Sequence, residues 1–170
     1  LTDVENHLTR WEALKSVLKS IPLISPVDYY HLASRFGKRR DPFTNRWAMH
    51  SGLDLAGRRK APVYSTAPGT VVFSGRKGNY GKMVEIDHGN GIQTRYGHLL
   101  KVTVLKGEKI GHRHKVGLLG STGRSTGPHV HYEVLFDGKQ LDPLKFIKAG
   151  RHVFKSPKAG SKAKVTDRKS

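Results

Sequence analysis

Residues 82–98 read KMVEIDHGNGIQTRYGH, and this stretch is the clearest indication of the fold class. Lys82–Asp87 alternates apolar and polar side chains, which is typical of a strand with one buried face, and Ile92–His98 is the return strand. The turn His88-Gly89-Asn90-Gly91 between them contains Asn-Gly, a pair that tolerates the positive φ values of a tight hairpin. The stretch therefore predicts an antiparallel β-hairpin.

Short apolar stretches separated by Gly-rich turns continue on both sides of this hairpin, from about residue 28 to residue 149. Further strands are predicted at Gly69–Ser74, Val102–Leu105, Lys115–Leu119 and His129–Phe136. Many short strands with turns between them favour a mainly β fold built on an antiparallel sheet, either alone or as two packed sheets. Pro143–Lys148 is predicted to be a short closing helix, because proline is accepted in a first helical turn.

An apolar stripe with three-four spacing occupies the first 20 residues and predicts a helix. Its members are Leu1, Val4, Leu8, Trp11 and Leu18. We interpret this short N-terminal helix as the stub of a coiled coil; the alternative is a single helix packed on the domain. Pro22 and Pro26 then end it.

The 170-residue chain has a formal net charge of +18, so a polyanion is the expected partner. Nucleic acid, an anionic membrane and an anionic cell wall all qualify. No recognition helix or set of base-stacking aromatics is evident, so we expect no nucleic-acid partner. Residues 151–170 hold seven Lys or Arg and one acid, Asp167, and we expect a disordered tail, acting either as an electrostatic tether or as a solvated end.

Three absences limit what the sequence says about location. The chain has no cysteine, which excludes disulfides and thiolate ligands. It has no apolar run of about 18 residues, so we expect no transmembrane segment in it. It has no signal-peptide pattern and begins at Leu1 rather than Met, and we interpret it as a fragment of a longer precursor.

Histidine and aspartate supply the candidate chemistry. His129 and His131 lie two apart on a predicted strand and so point to one face, and His50 and Asp54 lie in a loop that enters another strand. His50, Asp54 and one of the histidine pair would give three zinc ligands with an open fourth position. The other histidine of the pair and His98 would then handle protons.

Several motifs occur together in a fixed order. They are FGKRRDPF at 36–43, HSGLD at 50–54, GTVV at 69–72, YGHL at 96–99, GSTGRSTGPHVHYE at 120–133 and DPL at 142–144. This ordered set resembles the lysostaphin-type (LytM-like) zinc endopeptidases of peptidoglycan. The resemblance implies a partly open antiparallel β-sheet fold with a substrate groove.

The same resemblance implies roles for five residues. His50, Asp54 and His131 match the ligands of a single Zn²⁺, and His98 and His129 match the catalytic histidines. It implies a metalloendopeptidase that hydrolyses peptide cross-links of bacterial peptidoglycan. The alternative is a masked or regulatory member of the fold that activates another cell-wall hydrolase.

The resemblance also sets expectations for organisation and location. We expect a helical stub at 1–20, a linker at 21–33, the zinc endopeptidase domain at 34–150 and the basic tail at 151–170. We further expect a bacterial cell-envelope location, periplasmic or exported, with a membrane anchor in a preceding segment, and division or cell-wall proteins as partners of the coiled coil.

Five polar residues are secondary candidates. Arg124, Ser125 and Thr126 either line the groove or only shape a Gly-rich loop, and Tyr80 is a further candidate for the border of the groove. Glu133 lies on the same strand face as His129 and His131, so a contact to a zinc ligand is expected for it. His112 and His114 repeat the His-x-His spacing, but in a polar, basic stretch that we interpret as an exposed turn.

Overall fold

The structure is a computed structural model that describes residues 2–154. The helices of this part are α1 (Asp3–Ser20), a 3-10 turn (Gly78–Tyr80) and α2 (Pro143–Val153). The strands are β1 (His31–Ser34), β2 (Gly37–Arg40), β3 (Trp47–His50), β4 (Leu53–Ala56), β5 (Pro62–Tyr64), β6 (Gly69–Arg76), β7 (Lys82–Asp87), β8 (Ile92–Leu99), β9 (Lys101–Val102), β10 (Lys109–Ile110), β11 (Lys115–Leu118), β12 (His129–Phe136) and β13 (Lys139–Leu141).

The main sheet has eight strands, in the order β1-β4-β12-β8-β7-β6-β10 with β13 paired to the side of β12, and its pairings are antiparallel. A three-stranded sheet, β5-β11-β9, and a two-stranded hairpin, β2-β3, complete the fold. The predicted mainly β, antiparallel class is confirmed. The hairpin β7–β8 turns through positive φ angles at Gly89, Asn90 and Gly91, as the Asn-Gly pair predicted.

The hydrophobic core contains side chains from both larger sheets. Val130, Tyr132 and Val134 of β12 are buried in it together with Val63 of β5 and Val116 of β11. Because side chains alternate across a strand, the opposite face of β12 carries His129, His131 and Glu133. The pairing of β12 between β4 and β8 thus places this polar face in the middle of the main sheet.

Two predicted elements differ in length from the observed ones. The strand expected at Val102–Leu105 is β9, which ends at Val102, because the Leu105 N–H donates to the Glu108 side chain and Gly107 turns the chain at φ +90°. The closing helix expected to end at Lys148 continues to Val153. Gly150 disfavours helix locally but does not end it, because the helix packs there against the Leu23 backbone, where a side chain would collide.

The N-terminal helix α1 begins with a capping box between Thr2 and Glu5. Its apolar stripe is exposed at Val4, Leu8, Trp11 and Leu18, so in the described chain this stripe does not pack on the β domain. The coiled coil stays a prediction. No helix within residues 2–154 is long and apolar enough to span a membrane.

The predicted domain limits stay predictions. β1 begins at His31 and pairs with β4, and α2 ends at Val153. The predicted basic tail lies outside the described residues from position 155 onward.

Candidate active site

A tight turn and a strand pairing bring the three predicted metal ligands together. His50 ends β3, Asp54 lies in β4, and Asp54 is the direct cross-strand partner of His131 in β12. Gly52 makes the turn possible, since a Cβ at this position would lie 2.5 Å from the Tyr132 carbonyl oxygen. The local sequence His-Ser-Gly-Leu-Asp therefore folds flat against β12 and presents both ligands beside His131.

The donor atoms of these three residues converge. The distance from His131 Nδ1 to Asp54 Oδ1 is 2.8 Å, and that from His50 Nε2 to the same oxygen is 3.1 Å. Each of the three residues is buried, and one ligand atom from each lies within 4.8 Å of the other two. Within residues 2–154 they form the group of His, Asp or Glu side chains that could hold a metal ion. Burial raises the pKa of Asp54, but hydrogen bonds from His131 and His50 outweigh it and hold this pKa well below its usual range.

Backbone carbonyls fix the orientation of three of the four imidazoles. The Nδ1–H groups of His50, His98 and His129 donate to the carbonyls of Arg35, Thr122 and Gly127, at 2.8, 2.7 and 2.8 Å. Each ring therefore turns its Nε2 lone pair toward the cleft. His131 differs, because its Nε2 contacts Glu133 and its Nδ1 faces Asp54.

His98 and His129 lie beside the ligand cluster. Their ring centroids are 4.7 Å apart, and His129 Nε2 is 3.7 Å from Asp54 Oδ1. His98 has φ +60°, a conformation that non-glycine residues adopt only when the surrounding structure holds them there. Burial, together with the nearby His129 and His131, lowers the pKa of His98 to about 4, so its imidazole is neutral near pH 7.

His131 has the opposite protonation behaviour. Burial alone would lower its pKa, but hydrogen bonds to Asp54 and Glu133 raise this pKa to about 9. The proton shared with the two carboxylates must leave when a metal ion binds the ring, since only the neutral imidazole is a ligand.

The cluster lies in a cleft of about 300 Å³. Its lining residues are Arg39, Asp41, Pro42, Phe43, His50, Ser51, Asp54, Asn79, Tyr80, His98, Arg124, Ser125, Thr126, His129 and His131. All five predicted site residues are brought together here. Arg124, Ser125 and Thr126, for which the sequence left two interpretations open, also line the cleft, and so does Tyr80.

The rim of the cleft contains contacts that the sequence did not predict. Arg124 Nη2 lies 2.9 Å from Asp41 Oδ1, and its guanidinium stacks 4.5 Å from the Phe43 ring centroid. Arg39 Nη2 lies 3.6 Å from Asp54 Oδ2. Arg39, Asp41 and Phe43 occur in one of the quoted motifs, but spacing alone did not indicate these contacts; Asp41 and Arg124, for example, are 83 positions apart.

Three other histidines lie outside the cleft. His112 and His114 are exposed in the turn between β10 and β11. His88 is buried outside the cleft, where it contacts the Pro68 carbonyl and Thr94 Oγ1.

The chemistry of the donor set fits a zinc ion. Two imidazole nitrogens and one carboxylate oxygen are ligand types that zinc accepts, and a third imidazole nitrogen, from His129, approaches the same carboxylate oxygen. The open side of the cluster faces the cleft, which leaves room for water or substrate at a further position.

Comparisons with known proteins agree with this arrangement. Residues 48–143 match Peptidase family M23. The chain is 42% identical over 121 residues to the DD-carboxypeptidase/endopeptidase Mpg of Neisseria meningitidis serogroup B. The aligned region covers 71% of this chain and 28% of that protein. The chain is 43% identical over 122 residues to the peptidoglycan DD-endopeptidase ShyA of Vibrio cholerae, with the same two coverages.

Solved structures show the same fold. A zinc-containing peptidase from Vibrio cholerae superposes with a TM-score of 0.65 at 41% identity, covering 69% of this chain and 37% of that one. The catalytic domain of lysostaphin from Staphylococcus simulans gives a TM-score of 0.65 at 26% identity, covering 70% and 92%. The chain thus spans 28% of the length of the curated relatives named above. On these matches and this geometry, the chain belongs to peptidase family M23.

Proposed function

We propose that the chain carries a zinc metalloendopeptidase domain that hydrolyses peptide cross-links of bacterial peptidoglycan. The observation that carries this proposal is the convergence of His50, Asp54 and His131 on one face of the cleft, with His98 and His129 beside them. The relatives' names, which specify peptidoglycan DD-endopeptidases, support the substrate class.

Three atoms would hold the metal: His50 Nε2, Asp54 Oδ1 and His131 Nδ1. A bound zinc ion polarises the scissile carbonyl and lowers the pKa of its water to about 7. Asp54 supplies the negative charge of the ligand set, and its lowered pKa keeps it ionised throughout the range in which peptidases work.

His98 and His129 would manage the protons. Each ring is anchored through Nδ1 to a backbone carbonyl, so its Nε2 is free to accept a proton from the attacking water. The imidazolium so formed stabilises the developing oxyanion and can return the proton to the leaving amine. The lowered pKa of His98 keeps that ring in the accepting form before reaction.

Location and partners follow from the substrate. Peptidoglycan lies in the cell envelope, and a protein of net charge +18 is attracted to an anionic wall. We extend the proposal to a periplasmic or exported protein whose α1 belongs to a coiled coil that binds division or cell-wall proteins.

Digestion of purified peptidoglycan tests the activity, with released fragments identified by mass. The parent chain should shorten cross-linked fragments, and both a chelator and His131→Ala should abolish the release. His112→Ala is the matched control, since it removes an exposed histidine outside the cleft. If zinc binds but no fragment is released, the masked or regulatory alternative replaces the enzyme. If no zinc binds, the ligand assignment is wrong.

A further inference from the structure

Glu133 is the most deeply enclosed carboxylate of the site. Its side chain is 0% exposed and its carboxylate accepts from four donors. Three of them meet Oε1: Ser51 Oγ at 2.6 Å, Tyr80 OH at 2.8 Å and His131 Nε2 at 2.9 Å. The fourth is Arg95 Nη1, 3.3 Å from Oε2.

So many donors on one carboxylate require an explanation, because a buried charge is costly unless it is paired and hydrogen-bonded. All four contacts of the Glu133 carboxylate are with groups that can donate a hydrogen bond, and one of them is the Arg95 guanidinium, so the surroundings are those of an ionised carboxylate. An apolar residue would fill the same space without the cost of removing a charged group from water. The negative charge therefore has a use at this position.

The use is visible at His131. An imidazole that gives one nitrogen to a metal needs its other N–H fixed, or the ring can rotate or change tautomer. The Arg35 carbonyl does this for His50, but among residues 2–154 no backbone carbonyl is hydrogen-bonded to the His131 ring, and Glu133 Oε1 takes that place. A carboxylate also raises the basicity of the ring more than a carbonyl does.

We propose that Glu133 is a positioning residue for the metal, which holds His131 with Nδ1 toward the ligand cluster and is itself held by Ser51, Tyr80 and Arg95. This inference rests on the proposed function, since it takes His131 as a metal ligand. Glu133 does not face the cleft and touches no reacting atom, so it is not a catalytic residue.

The chain offers a matched control in Glu85. Arg95 lies between the two carboxylates and contacts Glu85 through Nε at 3.1 Å and Nη2 at 3.2 Å. Glu85 is also nearly buried, and the cross-strand register pairs it with Arg95 as it pairs Arg95 with Glu133. Glu133→Gln and Glu85→Gln each remove one negative charge from Arg95, but only Glu133 is in contact with His131.

The experiment measures the zinc dissociation constant of the whole 170-residue chain by competition with a chelator, for the parent and both variants. Glu133→Gln should weaken zinc binding about 10- to 100-fold, the range typical for loss of a group that supports a metal ligand. Glu85→Gln should leave it at the parent value. The visible absorption of the Co²⁺-substituted proteins should change in Glu133→Gln alone, which a loss of fold stability by itself would not produce.

Two results would overturn the inference. One is a zinc affinity and a cobalt spectrum in Glu133→Gln that equal those of the parent. The other is an equal loss of zinc affinity in Glu133→Gln and Glu85→Gln, which would show that Glu133 only stabilises the sheet. If Glu133→Gln loses its near-UV circular dichroism, Ser51→Ala is the second variant. It removes the 2.6 Å bond to Oε1, so it should weaken zinc binding to a smaller extent, and unchanged affinity there contradicts the proposal.

These outcomes are separate from those for the proposed function. A parent chain that binds zinc but releases no peptidoglycan fragments would end the endopeptidase proposal and leave the zinc measurements valid. A parent chain that binds no zinc would end both.

Discussion

At the scale of single residues, Gly52 shows how closely the ligand turn approaches β12. A Cβ at position 52 would meet the Tyr132 carbonyl at 2.5 Å, Glu133 Cγ at 2.9 Å and His131 Cε1 at 3.0 Å. The first of these is a backbone atom that cannot move without shifting the strand. The glycine is therefore required by the distance between the two segments that carry the ligands.

We expect Gly52→Ala to destabilise the protein by about 1–3 kcal/mol, as overpacking does, and to weaken zinc binding because β4 must move away from His131. Gly111→Ala is the control, since nothing lies within 4 Å of a Cβ there. Thermal unfolding and a zinc titration measure the two effects. Wild-type zinc affinity in Gly52→Ala would show that the turn is not what sets the ligand geometry.

His88 is the second residue whose environment has a measurable consequence. Its ring is buried between the Pro68 carbonyl and Thr94, and burial lowers its pKa below 6.5. In the pH range just below 6.5 the unfolded chain therefore binds a proton at His88 that the folded protein does not. Stability must rise with pH across that window.

The expected result is that the free energy of unfolding of the metal-free protein falls between pH 7 and pH 5, and falls less in His88→Gln than in the parent. His112→Gln, an exposed histidine substituted in the same way, should keep the parent slope. Denaturant titrations at the two pH values give the comparison. An unchanged slope in His88→Gln would show that other groups account for the acid sensitivity.

At the scale of elements, two loops meet across the rim of the cleft. One joins β2 to β3 and carries Asp41 and Phe43, and the other precedes β12 and carries Arg124. Arg124 reaches both Asp41 oxygens, at 2.9 and 3.1 Å, and the Phe43 ring at 4.5 Å. The Arg124 backbone N–H also donates to the Asn79 carbonyl, so its loop is fixed on one side. The pair thus sets the distance between the two walls of the cleft.

Because this ion pair is partly exposed, its contribution to stability should be small, within about 1 kcal/mol. We expect Asp41→Asn and Arg124→Gln to change the thermal midpoint little and to reduce kcat/KM on peptidoglycan fragments several-fold, since the wall of the cleft is released. The double variant should lose no more than either single one, as residues that share one contact do. Additive losses in the double variant would argue against a shared role.

At the scale of the whole molecule, charge is the dominant property. Lys and Arg number 31 against 13 Asp and Glu. Within the described residues several of the acids are already paired, as Asp28 is with Arg113 and Asp41 with Arg124, so the excess positive charge faces solvent. Under the proposed function, this excess positive charge would attract the chain to an anionic wall.

Binding to insoluble peptidoglycan should accordingly weaken as salt rises, since the screening length falls from about 10 Å at 0.1 M to about 3 Å at 1 M. Co-sedimentation of His131→Ala with peptidoglycan measures binding without digestion. The same chain at two salt concentrations is its own reference. Salt-independent binding would place the affinity in the cleft instead of in the surface charge.

The sequence by itself determined the class of fold and the residue types of the site. The hairpin at 82–98, the strand His129–Phe136 and the Pro-initiated α2 depend on local turn chemistry and on side-chain alternation, which act between neighbours in the chain. The five predicted site residues could be named because their motifs occur in a recognisable order.

Only the tertiary structure decided what these residues contact. Asp54 and His131 are 77 positions apart, and the register of β4 on β12 makes them partners. The same pairing leaves Glu133 buried beneath Ser51 and Tyr80, and loop contacts join Arg124 to Asp41. Contacts between distant segments depend on strand register and packing, which no local pattern of residues specifies.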